Sequence, residues 1–162
     1  MIALLTKLRR DRRGTAIIEL ALVAPVLAAM FIAVTDISVA YGKKLQLEQA
    51  AQRAIEKVAQ TTGEDTLQAT IKSEAVCQFN GLNANGTCKA APLTTADVAV
   101  TFSLKCNGTT KTWTLDCNAG ETEVRYITTT ISYIFAPRFP LHFGTEADGT
   151  YHLSSTAGVR VV

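Results

Sequence analysis

Three sets of residues have types and spacings that could do chemistry. The first is the cysteines, Cys77, Cys88, Cys106 and Cys117, which fall in two close pairs. Four cysteines allow three pairings. The local one joins Cys77 to Cys88 around Asn80–Thr87, and Cys106 to Cys117 across two adjacent strands around Asn107-Gly108-Thr109. Each such bridge would add about 2–3 kcal/mol by restricting the unfolded chain. Zinc is the alternative use of these thiols, but no two of them stand in a C-x-x-C pair, and the disulfide is the expected state in an oxidising compartment. The second set is His142 and His152, which stand alone without H-E-x-x-H or similar spacing and read as surface or loop residues rather than ligands. The third is Glu19, the one charge in the run Thr15–Thr35. There is no G-x-S-x-G, P-loop or metal constellation. The expectation is therefore no enzyme, no cofactor, no metal and no small-molecule substrate.

Glu19 sits in a segment of unusual composition. Thr15–Thr35 reads TAIIELALVAPVLAAMFIAVT. As a helix, Ala16–Thr35 spans about 30 Å, the thickness of the hydrocarbon core of a bilayer. Five basic residues (Lys7, Arg9, Arg10, Arg12 and Arg13) precede it against Asp11 alone, a local charge of +4. The remaining 16 − 5 = 11 basic and 14 − 1 = 13 acidic residues give −2, so the net +2 describes neither part. The bulk of the chain has no basic patch, which argues against nucleic acid. The positive-inside rule instead places the N-terminus in the cytoplasm, with Lys43 and Lys44 on the other side. A removable signal peptide would have a shorter apolar core and a small-x-small cleavage site just after it. Here Asp36-Ile37-Ser38-Val39-Ala40-Tyr41 follows. The expected organisation is a basic cytoplasmic leader over 1–14, a single membrane helix over 15–41 and an extracytoplasmic domain over 42–162.

A carboxylate inside a membrane helix costs roughly 2.5–3.5 kcal/mol. Two readings account for Glu19. It lies about one turn in from the basic cluster and could snorkel to the interface. Alternatively, Arg13-Gly14-Thr15-Ala16-Ile17-Ile18-Glu19 resembles a type IV prepilin leader. In that reading a membrane peptidase cuts after Gly14, where a side chain would obstruct backbone approach. The new α-amino group at Thr15 is then neutralised by Glu19 of a neighbouring subunit, which a low dielectric makes worthwhile.

The elements that must position these residues follow from periodicity. The membrane helix is expected to tolerate Pro25 with a kink. It should run on past a weak point at Gly42 to a stop at Thr62-Gly63. Beyond the membrane, Gln46, Gln49, Arg53, Glu56 and Gln60 form a polar stripe beside the apolar Leu47, Ala51, Ala54 and Val58. A short second helix is expected over Asp65–Val76, with Leu67, Ile71 and Ala75 on one face. Then the period becomes two. Val98, Val100, Phe102 and Leu104 alternate with small polar residues, Trp113 and Leu115 suggest a short strand, and Val124–Phe135 and Tyr151–Val161 read as longer ones. Helices followed by a run of strands imply an α+β fold with a small antiparallel sheet.

The segment RRGTAIIELALVAPVL (Arg12–Leu27) resembles the TadE-type (also TadF-type) proteins of the tight-adherence, or Flp, pilus system. Arg13, Gly14, Glu19, Ala21, Leu22, Pro25 and Leu27 match the pattern, and Asp36 stands where an acidic residue often follows. Gln46–Ala59 is similar to the family's alanine-rich helix with an arginine, here Arg53. The proline–aromatic turn Ala136-Pro137-Arg138-Phe139-Pro140-Leu141 is also familiar. Ile37-Ser38-Val39 replace a frequent aromatic and glycine, and Leu20 stands where the major pilin has tyrosine. The resemblance implies a pilin-like fold and a minor, pilin-like structural role in assembling an adhesive pilus. It also implies a place in a bacterial inner membrane with the C-terminal domain in the periplasm. A prepilin peptidase, other pilin-like subunits and the pilus assembly platform would be the partners. An uncleaved, membrane-anchored periplasmic binding or adhesion module is the alternative reading.

Overall fold

A computed structural model describes residues 13–60, 68–139 and 142–161. Helix α1 spans Arg13–Gln60, 48 residues without a break at Pro25 or Gly42. Its two parts live in different surroundings. From Ala16 to Thr35 the side chains are exposed or half-exposed on every side, apolar ones such as Ile17, Leu22 and Phe31 included. A helix that is apolar all round needs an apolar solvent, and this one is long and apolar enough to cross a bilayer. From Asp36 onward one face is covered. Leu47, Ala50, Ala51, Ala54, Ile55 and Val58 are buried, while Gln46, Gln49, Arg53, Glu56 and Gln60 stay in solvent. The expected stripe is thus the packing face, widened by Ala50 and Ile55. Its alanines let the helix approach its neighbours closely. The expected stop at Thr62-Gly63 lies outside the described residues.

Helix α2 (Gln68–Asn80) packs on α1 through Ile71, Ala75, Val76 and Phe79. It runs four residues past the expected end at Val76, so Cys77 lies in its last turn; the expected start, Asp65–Leu67, is outside the described residues. Gly81 ends it, with φ of 78° and its N–H on the Cys77 carbonyl. Asn80 then fastens the exit, donating to the carbonyls of Lys89 and Leu93 and accepting from the Leu93 N–H at 2.9 Å.

Four strands follow: β1 (Val98–Cys106), β2 (Thr109–Lys111), β3 (Glu123–Phe135) and β4 (Tyr151–Arg160). They form one antiparallel sheet in the order β2-β1-β3-β4. The fold is α+β, with both helices on one face of the sheet. Val98, Ile127 and Ile131 from that face close the core with Leu47, Ile71 and Leu93. Asn107 and Gly108, with φ of 47° and 85°, make the two-residue turn that suits a twisted hairpin between β1 and β2.

The short strand expected at Trp113 and Leu115 is not there; the strand is Thr109–Lys111. Arg125 gives the reason. Its guanidinium takes the carbonyls of Trp113 at 2.9 Å and Leu115 at 3.2 Å, and it lies over the Trp113 ring at 5.1 Å. These contacts hold Thr112–Thr122 against the Arg125 side chain as a loop at the end of the sheet.

Candidate functional site

Gly14 and Thr15 lie in the first turn of α1, and Glu19 one turn further along the same helix. Thr15 and Glu19 are four residues apart along it. The Glu19 side chain is exposed. Among the described residues nothing covers this carboxylate, and it is set among Ile17, Ile18, Leu20 and Leu22, all exposed.

The other end of the apolar span is built differently. Asp36, the first residue past the run, is 4% exposed. Its carboxylate accepts the backbone N–H of Arg138 at 3.0 Å and of Phe139 at 3.3 Å. The chain leaving β3 is thereby fastened to α1 at the point where the apolar run stops. Two turns on, Lys44 donates to the Ser154 carbonyl of β4 and pairs with Glu48 at 3.7 Å, while Lys43 lies over the Phe79 ring at 5.3 Å. The two lysines that read as a topology signal are therefore also ties between α1 and the domain. Arg53 adds another, reaching Glu74 of α2 at 3.2 Å and Glu56 at 3.4 Å. Asp36 and Arg138 are 102 residues apart, and no spacing in the sequence pairs them. The only hint was a carboxylate standing in a helix directly after an apolar run.

The cysteines are joined Cys77–Cys88 and Cys106–Cys117, with Cα separations of 4.9 and 5.5 Å. The first links the last turn of α2 to the bridge residue Cys88, which pairs with Leu82. The second differs from the expected strand-to-strand tie, because it joins the end of β1 to the Thr112–Thr122 loop that Arg125 holds off the sheet. Cys106 and Cys117 lie within reach of Glu121, but sulfurs bonded to each other offer no thiolate to an ion. The Glu121 carboxyl is held below its ordinary range by the Asn118 N–H and by Lys111 at 3.0 Å.

The histidines sit at the end of the sheet nearest Asp36. His142 is an exposed loop residue with φ of 43° whose Nδ1 lies 3.1 Å from the Gly149 carbonyl. His152, exposed on β4, contacts Asp148 at 2.7 Å. That hydrogen bond raises the His152 pKa and, with the Thr150 N–H and hydroxyl, lowers Asp148 to about 2. A polar groove of about 310 Å³ runs between α1 and the edge of β4, lined by Lys44, Glu48, Gln52 and Ser154–Ala157. It holds no nucleophile–base pair.

Searches of curated proteins and of solved structures find no match. A family model described as TadE-like protein matches residues 14–55. The matched stretch starts at Gly14 and takes in Glu19, the apolar span, Asp36 and the packing face of α1 as far as Ile55. Residues 14–55 are therefore similar to the TadE-like family, over about a quarter of the chain.

Proposed function

We propose that this chain is a minor pilin-like subunit, structural rather than catalytic, that takes part in assembling a Tad pilus. The observation that carries the reading is the state of Glu19. It is an exposed carboxylate on an otherwise apolar span, one turn from Thr15, with no covering partner among the described residues. A charge placed there at a cost of roughly 2.5–3.5 kcal/mol calls for a compensating partner from outside. Cleavage after Gly14 by a prepilin peptidase supplies one: the α-amino group of Thr15 on a neighbouring subunit. In the low-dielectric contact between two apolar helices, that pair is worth far more than at a surface. The same cut removes the +4 leader and takes the net charge from +2 to −2.

In this reading residues 15–41 cross the inner membrane once, the domain from residue 42 onward stands in the periplasm, and the two disulfides form there. The helix is the assembly element, and the α+β domain is what other pilus components meet. Sequencing the N-terminus of the protein recovered from membranes tests the reading, together with a phosphatase fusion at Gly63. A start at Thr15 and an active fusion support it. An intact Met1 leaves an uncleaved anchored module in its place, and an inactive fusion removes the topology.

A further inference from the structure

The apolar span of α1 ends at Thr35, and the next residue, Asp36, holds the backbone of Arg138 and Phe139. That contact fixes the height of a loop that is distant in sequence. With Ala16–Thr35 filling the hydrocarbon core, Phe139 is carried at the level of Asp36, where hydrocarbon gives way to headgroups. Phe139 is 39% exposed, and Phe143 is 44% exposed. Phe143 belongs to the same end of the sheet, because its carbonyl accepts from the Tyr151 hydroxyl and Tyr151 stacks on Phe135 at 6.0 Å. Water is a poor environment for two such rings, whereas aromatic side chains are favoured at the membrane interface. Arg138, the exposed residue before Phe139, adds a cationic side chain at the same level. The acidic groups of this end, Glu146 and Asp148, lie beyond Phe143 in a turn closed by the Glu146 N–H on Thr150, with Asp148 turned to His152.

We propose that Phe139 and Phe143 are a second membrane contact. They would insert into the interface of the outer leaflet of the membrane that α1 crosses and seat the α+β domain on the lipid surface. The inference rests on the membrane-spanning reading of α1. The partner is the phospholipid interface itself, identified by the position of the rings relative to the end of the apolar span. The contact is mainly apolar, so it does not require anionic lipid.

The test uses the full chain in phosphatidylcholine nanodiscs that hold one copy each, with lipid brominated either high or low on the acyl chain. The wild-type protein has a single tryptophan, Trp113, at the far end of the sheet beside Phe102. It reports the distal background. Phe139→Trp and Phe143→Trp each add one reporter, and Phe31→Trp adds one inside the span. The expected result is no quenching in wild type, strong quenching of the Phe31→Trp signal by the low bromines, and quenching with a blue shift of the Phe139→Trp and Phe143→Trp signals by the high bromines. Quenching at Phe31→Trp without quenching at the loop overturns the proposal and leaves the span standing. No quenching at any position overturns both. A blue shift at the loop that needs two copies per disc, without bromine quenching, assigns the rings to a protein contact and also overturns it.

Discussion

Asp36 and Arg138, 102 residues apart, are joined through a carboxylate–amide hydrogen bond of 3.0 Å at the point where the apolar span meets the folded domain. The carboxylate is buried, and its second oxygen takes the N–H of Phe139. α1 thus both crosses the apolar zone and fixes how the domain stands above it. An orphaned buried amide costs about 1–3 kcal/mol. Asp36→Ala is expected to lower stability by about that amount and to make the chain near Arg138 more susceptible to trypsin. Asp36→Asn keeps one acceptor and should lose less. Denaturant midpoints and cleavage rates in detergent check this. Equal midpoints for Asp36→Ala and wild type would remove the anchoring role.

The disulfides should matter unequally for the two ends of the domain. Cys77→Ser with Cys88→Ser frees the exit of α2, and Cys106→Ser with Cys117→Ser frees the loop over the end of the sheet. Each pair is expected to cost about 2–5 kcal/mol. Non-reducing peptide mapping of the native protein should give the fragments Cys77–Cys88 and Cys106–Cys117 and no free thiol. Recovery of Cys77 with any other partner would contradict the arrangement.

A pH dependence follows from His152 and Asp148. The His152 pKa is raised above its ordinary 6.5 by the hydrogen bond to Asp148, so its contribution is complete below 6.5 and disappears as pH rises through the raised value. Asp148 is lowered from 3.8 to about 2, so its contribution is present above 3.8 and is lost as pH falls through about 2. The pair therefore supports the membrane-proximal turn most fully between about pH 4 and 6.5. An NMR titration should place the His152 midpoint above 6.5, and Asp148→Asn should bring it down. A midpoint unmoved by Asp148→Asn would show that the contact is not formed in solution.

One buried group is poorly served. The Thr129 hydroxyl, on the inner face of β3, is fully buried and has no hydrogen-bond partner among the described residues. Thr129→Val keeps the shape and removes the unsatisfied oxygen, and a gain of about 1 kcal/mol is expected from thermal or denaturant unfolding. A loss of stability would mean that the hydroxyl has a partner, such as a buried water.

The features legible in the sequence were those that repeat over a short distance. The apolar run Ala16–Thr35 was evident from composition. Leu47, Ala51, Ala54 and Val58 mark the packing face by their helical spacing, β1 shows in its alternation, and β3 in its β-branched and aromatic residues. The α+β class follows from the order of these elements. The details that escaped depend on a distant side chain. Nothing near Trp113 and Leu115 says that Arg125 will take their carbonyls, so an apolar, strand-like pair is in fact a loop. Asp36 stands out as the acidic residue that follows the apolar run, but its partners are main-chain amides, and a main-chain amide has no sequence signature. The expected end of α2 at Val76 follows its apolar face, whereas Asn80 and Gly81 carry the stop. Glu19 was legible for the converse reason: its oddity is local and needs no fold to be noticed.

The central claim is that Glu19 serves a neighbouring subunit's new N-terminus, and Glu19→Ala measured beside Gly14→Val tests it most directly. Both variants are followed by mass spectrometry of the mature N-terminus and by counting surface pili. Gly14→Val places a branched side chain at the cut and should leave the chain at full length. Glu19→Ala alters no backbone feature at Gly14, so the mature chain should still begin at Thr15. Its pili should be lost, because an amine left unpaired in a low-dielectric helix contact costs several kcal/mol. A wild-type protein that retains Met1–Gly14, or a Glu19→Ala strain that is correctly processed and fully piliated, would contradict the account.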